Sequence, residues 1–222
     1  MLSLMTNDGD DTNRVKVLYD PLCGWCYGAT PALRRLLGEA GIRLELAPTG
    51  LFSREGARPM DAGFAAYAWA NDQRIEQLTG QRFSDRYRDD VLGATGTKLD
   101  SGLATMALTA VALTAPGREL DALEAIQAAR YREGRDVTAL GVLFDVLRSL
   151  GLEEAATRLS GADSGLVAAV KSRTTQARSL LQAVGARGVP TVVAGEGPSQ
   201  RLVPSERLYG SFEDLLRHLR AA

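Results

Sequence analysis

Tyr19-Asp20-Pro21-Leu22-Cys23-Gly24-Trp25-Cys26-Tyr27-Gly28 contains the only two cysteines of a 222-residue chain. An apolar run with β-branched members (Val15, Val17, Leu18) leads into it, and a helical repeat (Ala29, Leu33, Leu36, Leu37) leads out. A Cys-x-x-Cys that closes a strand and opens a helix reads as a thiol–disulfide redox centre. In a helix, side chains three apart share a face, with their Cα atoms within the span of a disulfide. A Cys23–Cys26 bond can then open and close with little backbone movement. The first N–H groups of a helix lack internal partners and the helix dipole is positive there, so both stabilise a thiolate at Cys23. Cys26 lies deeper. Cys23 is therefore the expected nucleophile and Cys26 the expected resolving thiol.

Two other readings compete. Half of a zinc site needs further ligands, and the chain offers one histidine, His218, so no metal is expected. An inert structural pair would close so short a loop that it gains little chain-entropy stabilisation.

Composition is that of a globular protein, 45% hydrophobic and 24% charged, with a net charge of −1. There is no broad electrostatic case for nucleic acid or an anionic membrane as a partner. No apolar run approaches membrane-spanning length. Residues 1–13 carry three aspartates and lack the basic and apolar regions of a signal peptide, so a disordered tail is expected. A cytoplasmic location follows as an expectation, in line with the lack of spare cysteines for structural bridges.

Arg14–Asp20 reads as a first strand, Gly24–Gly38 as a helix with Pro31 inside it, and Ile42–Ala47 as a second strand parallel to the first. From Asp61 to Leu150 only helical segments appear. Phe64, Tyr67, Ala68, Ile75 and Leu78 give a helical period of about 3.6, and Phe83–Leu92 reads as a short helix. Ser101 is an expected N-cap. A longer helix starts at Asp163 or Ser164, with Val167, Val170, Ala177, Leu180, Leu181 and Val184 facing in. Thr191–Ala194 and Arg201–Val203 form an expected hairpin, and Ser211 caps a last helix. Arg34, Arg35, the charges of Arg130–Asp136 and His218 read as solvated groups, and Phe64, Tyr67 and Trp69 as core.

Pro190 directly precedes a strand, where a strand-entry proline and a cis-proline in a tight turn are both open readings. The order β–α–β, helices, Val-Pro–β–β–α after a Cys-x-x-Cys resembles the thioredoxin fold. The helical block after the second strand resembles the DsbA family. Within it, residues 19–28, Thr95–Ser101 and Tyr131–Asp136 are similar to a signal-less bacterial branch of predicted protein-disulfide isomerases with FrnE-like relatives.

The resemblance implies an α/β, thioredoxin-like fold with a large all-helical insertion after the second strand. Residues 14–51 and 163–222 would form the thioredoxin-like domain and 52–162 the insertion. It implies a thiol–disulfide oxidoreductase or isomerase whose only redox group is the Cys23–Cys26 disulfide, with glutathione as a conceivable co-substrate. Partners would be cysteine-containing proteins or peptides and a redox partner. Val189 and Pro190 would align the substrate chain. The family's buried acid, six positions before the first cysteine, is here Val17. Asp20 is the nearest acid, with proton transfer at Cys26 or a turn role as its two readings. Trp25 offers an apolar platform for substrate or packs on its own loop. No cation sits between the cysteines, which implies a less oxidising pair. The alternative is a glutathione-dependent isomerase or transferase of the kappa-like type, which needs only one sulfur or a serine.

Overall fold

The structure, a computed structural model, describes residues 14–220. The expected tail over residues 1–13 lies outside the described residues. The chain runs β1 (Arg14–Tyr19), α1 (Gly24–Leu37), β2 (Arg43–Pro48), β3 (Arg58–Pro59), α2 (Ala62–Thr79) and β4 (Lys98–Leu99). Then come α3 (Gly102–Thr114), α4 (Glu119–Tyr131), α5 (Leu140–Ser149), α6 (Glu153–Gly161) and α7 (Ser164–Ala183). β5 (Thr191–Ala194), β6 (Arg201–Val203) and α8 (Phe212–Arg220) close the fold.

Four strands form one mixed sheet in the order β2-β1-β5-β6. β1 is central and buries Val15, Val17, Leu18 and Tyr19, which is why it reads as a nearly continuous apolar run. The α1 crossover makes β2 parallel to β1. β5 is antiparallel to β1, with Leu18 opposite Thr191. That register sets Val189 and Pro190 beside the end of β1, where the cysteine turn begins.

In the helical block α3 is apolar on all sides and is buried among α4, α5, α6 and α7. Two readings change here. A two-residue antiparallel ladder joins β3 to β4 within the stretch expected to hold only helices, and it is too short for alternation to show. Tyr87–Leu92 forms a π-helical turn where an ordinary short helix is expected.

The long helix α7 also departs from expectation. Leu166 and Ala177 are its buried residues, whereas Val167 is 45% exposed. Its inward side is partly polar because β2 is an edge strand whose free carbonyls need donors. Arg173 Nη2 donates to the Leu46 carbonyl (2.9 Å) and to both oxygens of Glu119 (2.7 and 3.0 Å). Arg178 donates to the carbonyls of Thr49 (2.8 Å) and Gly50 (2.5 Å). Arg34, read as solvated, ties α1 to α4 through Glu124 and Asp121.

Candidate active site

Cys23 occupies the N-cap position of α1 in an extended conformation, and no side chain caps that helix. Its first amide N–H groups therefore remain free to face a sulfur anion. Both cysteines are free thiols; Cys23 is 8% exposed and Cys26 only 2%. Burial pushes the Cys26 thiol well above its ordinary range, and its hydrogen bond to Cys23 acts in the same direction. The pair thus has an outer sulfur at the helix start and an inner one held as a thiol. Cys23 Sγ lies 3.6 Å from the Val189 carbonyl, and the Val189–Pro190 peptide bond is cis. Two distant stretches of sequence, 23–26 and 189–190, are therefore one site.

The C-terminal hairpin region fixes both halves. Ser205 Oγ donates to the Pro190 carbonyl (2.7 Å), and Tyr209 OH donates to the Trp25 carbonyl (3.0 Å). The Tyr209 ring also packs on Trp25, with centroids 5.3 Å apart. Trp25 is partly buried by this contact and its remaining surface borders the cleft beside Cys23. Neither Ser205 nor Tyr209 carries a motif signal.

Asp20 is fully buried and shapes the turn. It accepts from Leu22 N (2.9 Å), Phe52 N (3.1 Å) and Ser101 Oγ (2.7 Å). Burial pushes its carboxyl up, while those hydrogen bonds pull it back. Ser101 is the N-cap residue of α3, as expected, but its side chain donates to Asp20 and makes no bond to the helix. A buried carboxylate is the stronger attractor for a hydroxyl.

A cleft of about 260 Å³ opens beside Cys23, between α1, α2 and α4. Two readings are corrected there. Tyr67 is 67% exposed and borders the cleft instead of filling a core, whereas the half-buried Phe64 packs against the core and borders the same cleft. Of the apolar period of α2, Phe64, Tyr67, Ala68 and Ile75 border that cleft while Leu78 is exposed, and the residues α2 buries are Asp72 and Ile75. Arg130, read as solvated, is 2% exposed and borders the same cleft.

Asp72 Oδ2 accepts from Tyr87 OH (3.0 Å), and burial pushes its carboxyl up to about 7 despite that bond and the charge of Arg130. The Arg130 guanidinium lies 5.4 Å from the Tyr87 ring and 5.7 Å from the Tyr131 ring. His218 is half-exposed on α8, with Nδ1 2.8 Å from the Asp214 carbonyl. Among the described residues no group of three His, Cys, Asp or Glu side chains converges as a metal site would require, and no helix is long and apolar enough to cross a membrane.

The sequence profile of the DsbA-like thioredoxin domain matches residues 14–215. The chain belongs to the DsbA-like thioredoxin family. It is similar to the cytosolic disulfide reductase DsbM from Pseudomonas aeruginosa, with 32% identity over 94% of this chain and 100% of that one, at a TM-score of 0.82. The same reductase solved with GSH superposes at 0.80. A 2-hydroxychromene-2-carboxylate isomerase shares the fold at 16% identity and a TM-score of 0.60, over 92% of this chain and 96% of that one. No curated protein sequence matches the chain.

In this DsbA-like chain Val17 is fully buried between Leu46 and Val192. It stands where the resemblance leads one to expect an acid, and the nearest buried carboxyl in the sequence is that of Asp20.

Proposed function

We propose that the protein is a protein-disulfide oxidoreductase that works by dithiol exchange. The observation that carries this reading is the placement of Cys23 Sγ at the uncapped start of α1, 3.6 Å from the Val189 carbonyl, with Cys26 buried behind it. In the reducing direction Cys23 thiolate attacks a substrate disulfide and forms a mixed disulfide. Cys26 then loses its proton, attacks Cys23, and releases the second substrate thiol. Val189 and Pro190 align an extended substrate segment beside the nucleophile, and Trp25 offers it an apolar surface.

Asp20 takes up the Cys26 proton. It is fully buried at the turn that leads into the cysteines, and burial pushes its carboxyl towards the protonated form. The reducing direction, glutathione as co-substrate and a cytoplasmic location are supported by the likeness to a cytosolic disulfide reductase solved with GSH. Cysteine-containing proteins or peptides and a redox partner complete the set. The kappa-like glutathione isomerase reading needs one sulfur only and leaves the buried Cys26 without a task.

The test is a pair of serine variants. Cys26→Ser is expected to accumulate covalent mixed disulfides, visible by mass on non-reducing gels, and Cys23→Ser to abolish insulin-disulfide reduction. Full activity in Cys23→Ser would rule the mechanism out. Because burial keeps Cys26 protonated, the mixed disulfide of the wild type should resolve faster as pH rises. Asp20→Asn should slow that step and alter its pH profile.

A further inference from the structure

We propose that the cleft beside Cys23 is a carboxylate-binding subsite for a small acidic thiol, and that Arg130 is the residue that receives the carboxylate. The proposal rests on the thiol–disulfide reading above and adds the residue and the charge that select the co-substrate.

The starting observation is an unsatisfied cation. Arg130 Nε has no hydrogen-bond partner, and neither has the hydroxyl of the adjacent Tyr131, although both are buried. Both residues border the cavity that also reaches Cys23. A buried guanidinium N–H without an acceptor is costly until one meets it. The Tyr87 and Tyr131 rings hold the guanidinium at 5.4 and 5.7 Å, but Nε is left without an acceptor. A ligand carboxylate supplies the missing acceptors with matching geometry.

Charge balance points the same way. The charged side chains bordering the cavity are Arg130 from α4, Asp72 from α2, and Arg58, which lies 4.0 Å from the Phe64 ring at the rim. Two cations face one carboxylate, so the cavity is positive even with Asp72 ionised. Asp72 is also partly engaged, since Tyr87 donates to one of its oxygens. A volume of about 260 Å³ admits a ligand of di- or tripeptide size at most.

The chemistry balances with thiol as the reductant. The thiolate of one acidic thiol attacks Cys23 of the oxidised pair, and the Cys23–Cys26 bond breaks. Cys26 leaves with the electron pair and takes its proton from the Asp20 carboxyl, which water then reprotonates. A second thiolate attacks the ligand sulfur of the mixed disulfide, releasing the small disulfide and the Cys23 thiolate. Two thiols give one electron each, and the Cys23–Cys26 disulfide takes both.

The test compares glutathione with glutathione diethyl ester, which has the same thiol and masked carboxylates. Reduction of the oxidised protein is followed at low salt by acid quench and alkylation. With a net protein charge of −1 the long-range field favours the cationic ester, so a preference for glutathione reports the local site. Wild type should prefer glutathione by about tenfold, the factor a single charge-assisted contact supplies. Arg130→Met should bring the ratio close to one, and Arg130→Lys should restore part of it. Asp72→Asn, which removes the competing negative charge, should raise it. A ratio near one in wild type, or unchanged in Arg130→Met, overturns the proposal. If Arg130→Met does not fold, Asp72→Asn decides, and a ratio that fails to rise overturns it. Equal reduction by both thiols defeats the subsite alone, whereas a pair that dithiothreitol also leaves oxidised defeats the dithiol reading.

Discussion

A methyl group added at Gly24 has no room. Its Cβ would stand 2.4 Å from Asp72 Oδ1 and 3.2 Å from Ile75 Cδ1. One turn on, a Cβ at Gly28 would stand 2.6 Å from Ile75 Cγ2. The two glycines let α2 lie directly on α1 beside the cysteines. Gly24→Ala gains at most about 1 kcal/mol of helix propensity, while overpacking costs about 1–3 kcal/mol, so the variant should be less stable. Placing it in an Asp72→Ala background removes the nearest clash, and the cycle should show a coupling of about 1 kcal/mol, read from urea midpoints. Additive effects would show that the chain relaxes around the methyl group. This contact was not legible in the sequence, because the motif dictates the spacing of its sulfurs and says nothing of a partner in another helix. Arg130 was legible in part. Leu123, Ile126 and Arg130 fall at i, i+3 and i+7 on α4, one buried face. The charged run that follows to Asp136 hid that periodicity.

Among elements, α7 shows how a helix can be correctly placed and its face misjudged. Its start at Asp163 was legible from the cap, and Asp163 does accept from Leu166 N. Its inward side was not, because what it meets is the edge of β2, a partner 127 residues earlier in the chain. Arg173 is the link: it joins α7 to β2 through the Leu46 carbonyl and to α4 through Glu119, which in turn accepts from Tyr19 OH at 3.2 Å. Burial already pushes the Glu119 carboxyl up, and Arg173 opposes that. Arg173→Met leaves a buried carboxylate without its cation and should cost about 3 kcal/mol, measured by chemical denaturation. Arg173→Met with Glu119→Gln should recover much of that loss, because no charge is then left buried. A double variant as unstable as the single one would mean that packing of the arginine stem, not charge, matters at this junction.

For the molecule as a whole, the question is whether the helical block and the thioredoxin-like part behave as two bodies. The buried residues form one cluster that runs from β1 and α1 through α3, α4 and α6, so unfolding should be a single transition by fluorescence and circular dichroism. The order of elements was legible because strands and helices carry different periods; the shared core was not, because it depends on how α2 and α4 dock on α1. Asp72 sits at that seam, with its carboxyl pushed up to about 7 from an ordinary 3.8. A group whose pKa is higher in the folded state binds more protons there than in the unfolded chain. Its contribution to stability is then complete below about pH 4 and is lost as pH rises to about 7. The span corresponds to roughly 4 kcal/mol as an upper limit. Asp72→Asn removes the titration, so the stability of wild type relative to this variant should fall between pH 5 and pH 8 by about 2 kcal/mol or more. Urea midpoints for both proteins at the two pH values measure this directly. Parallel shifts would mean that Asp72 stays ionised throughout, and the seam would then be insensitive to pH in this range.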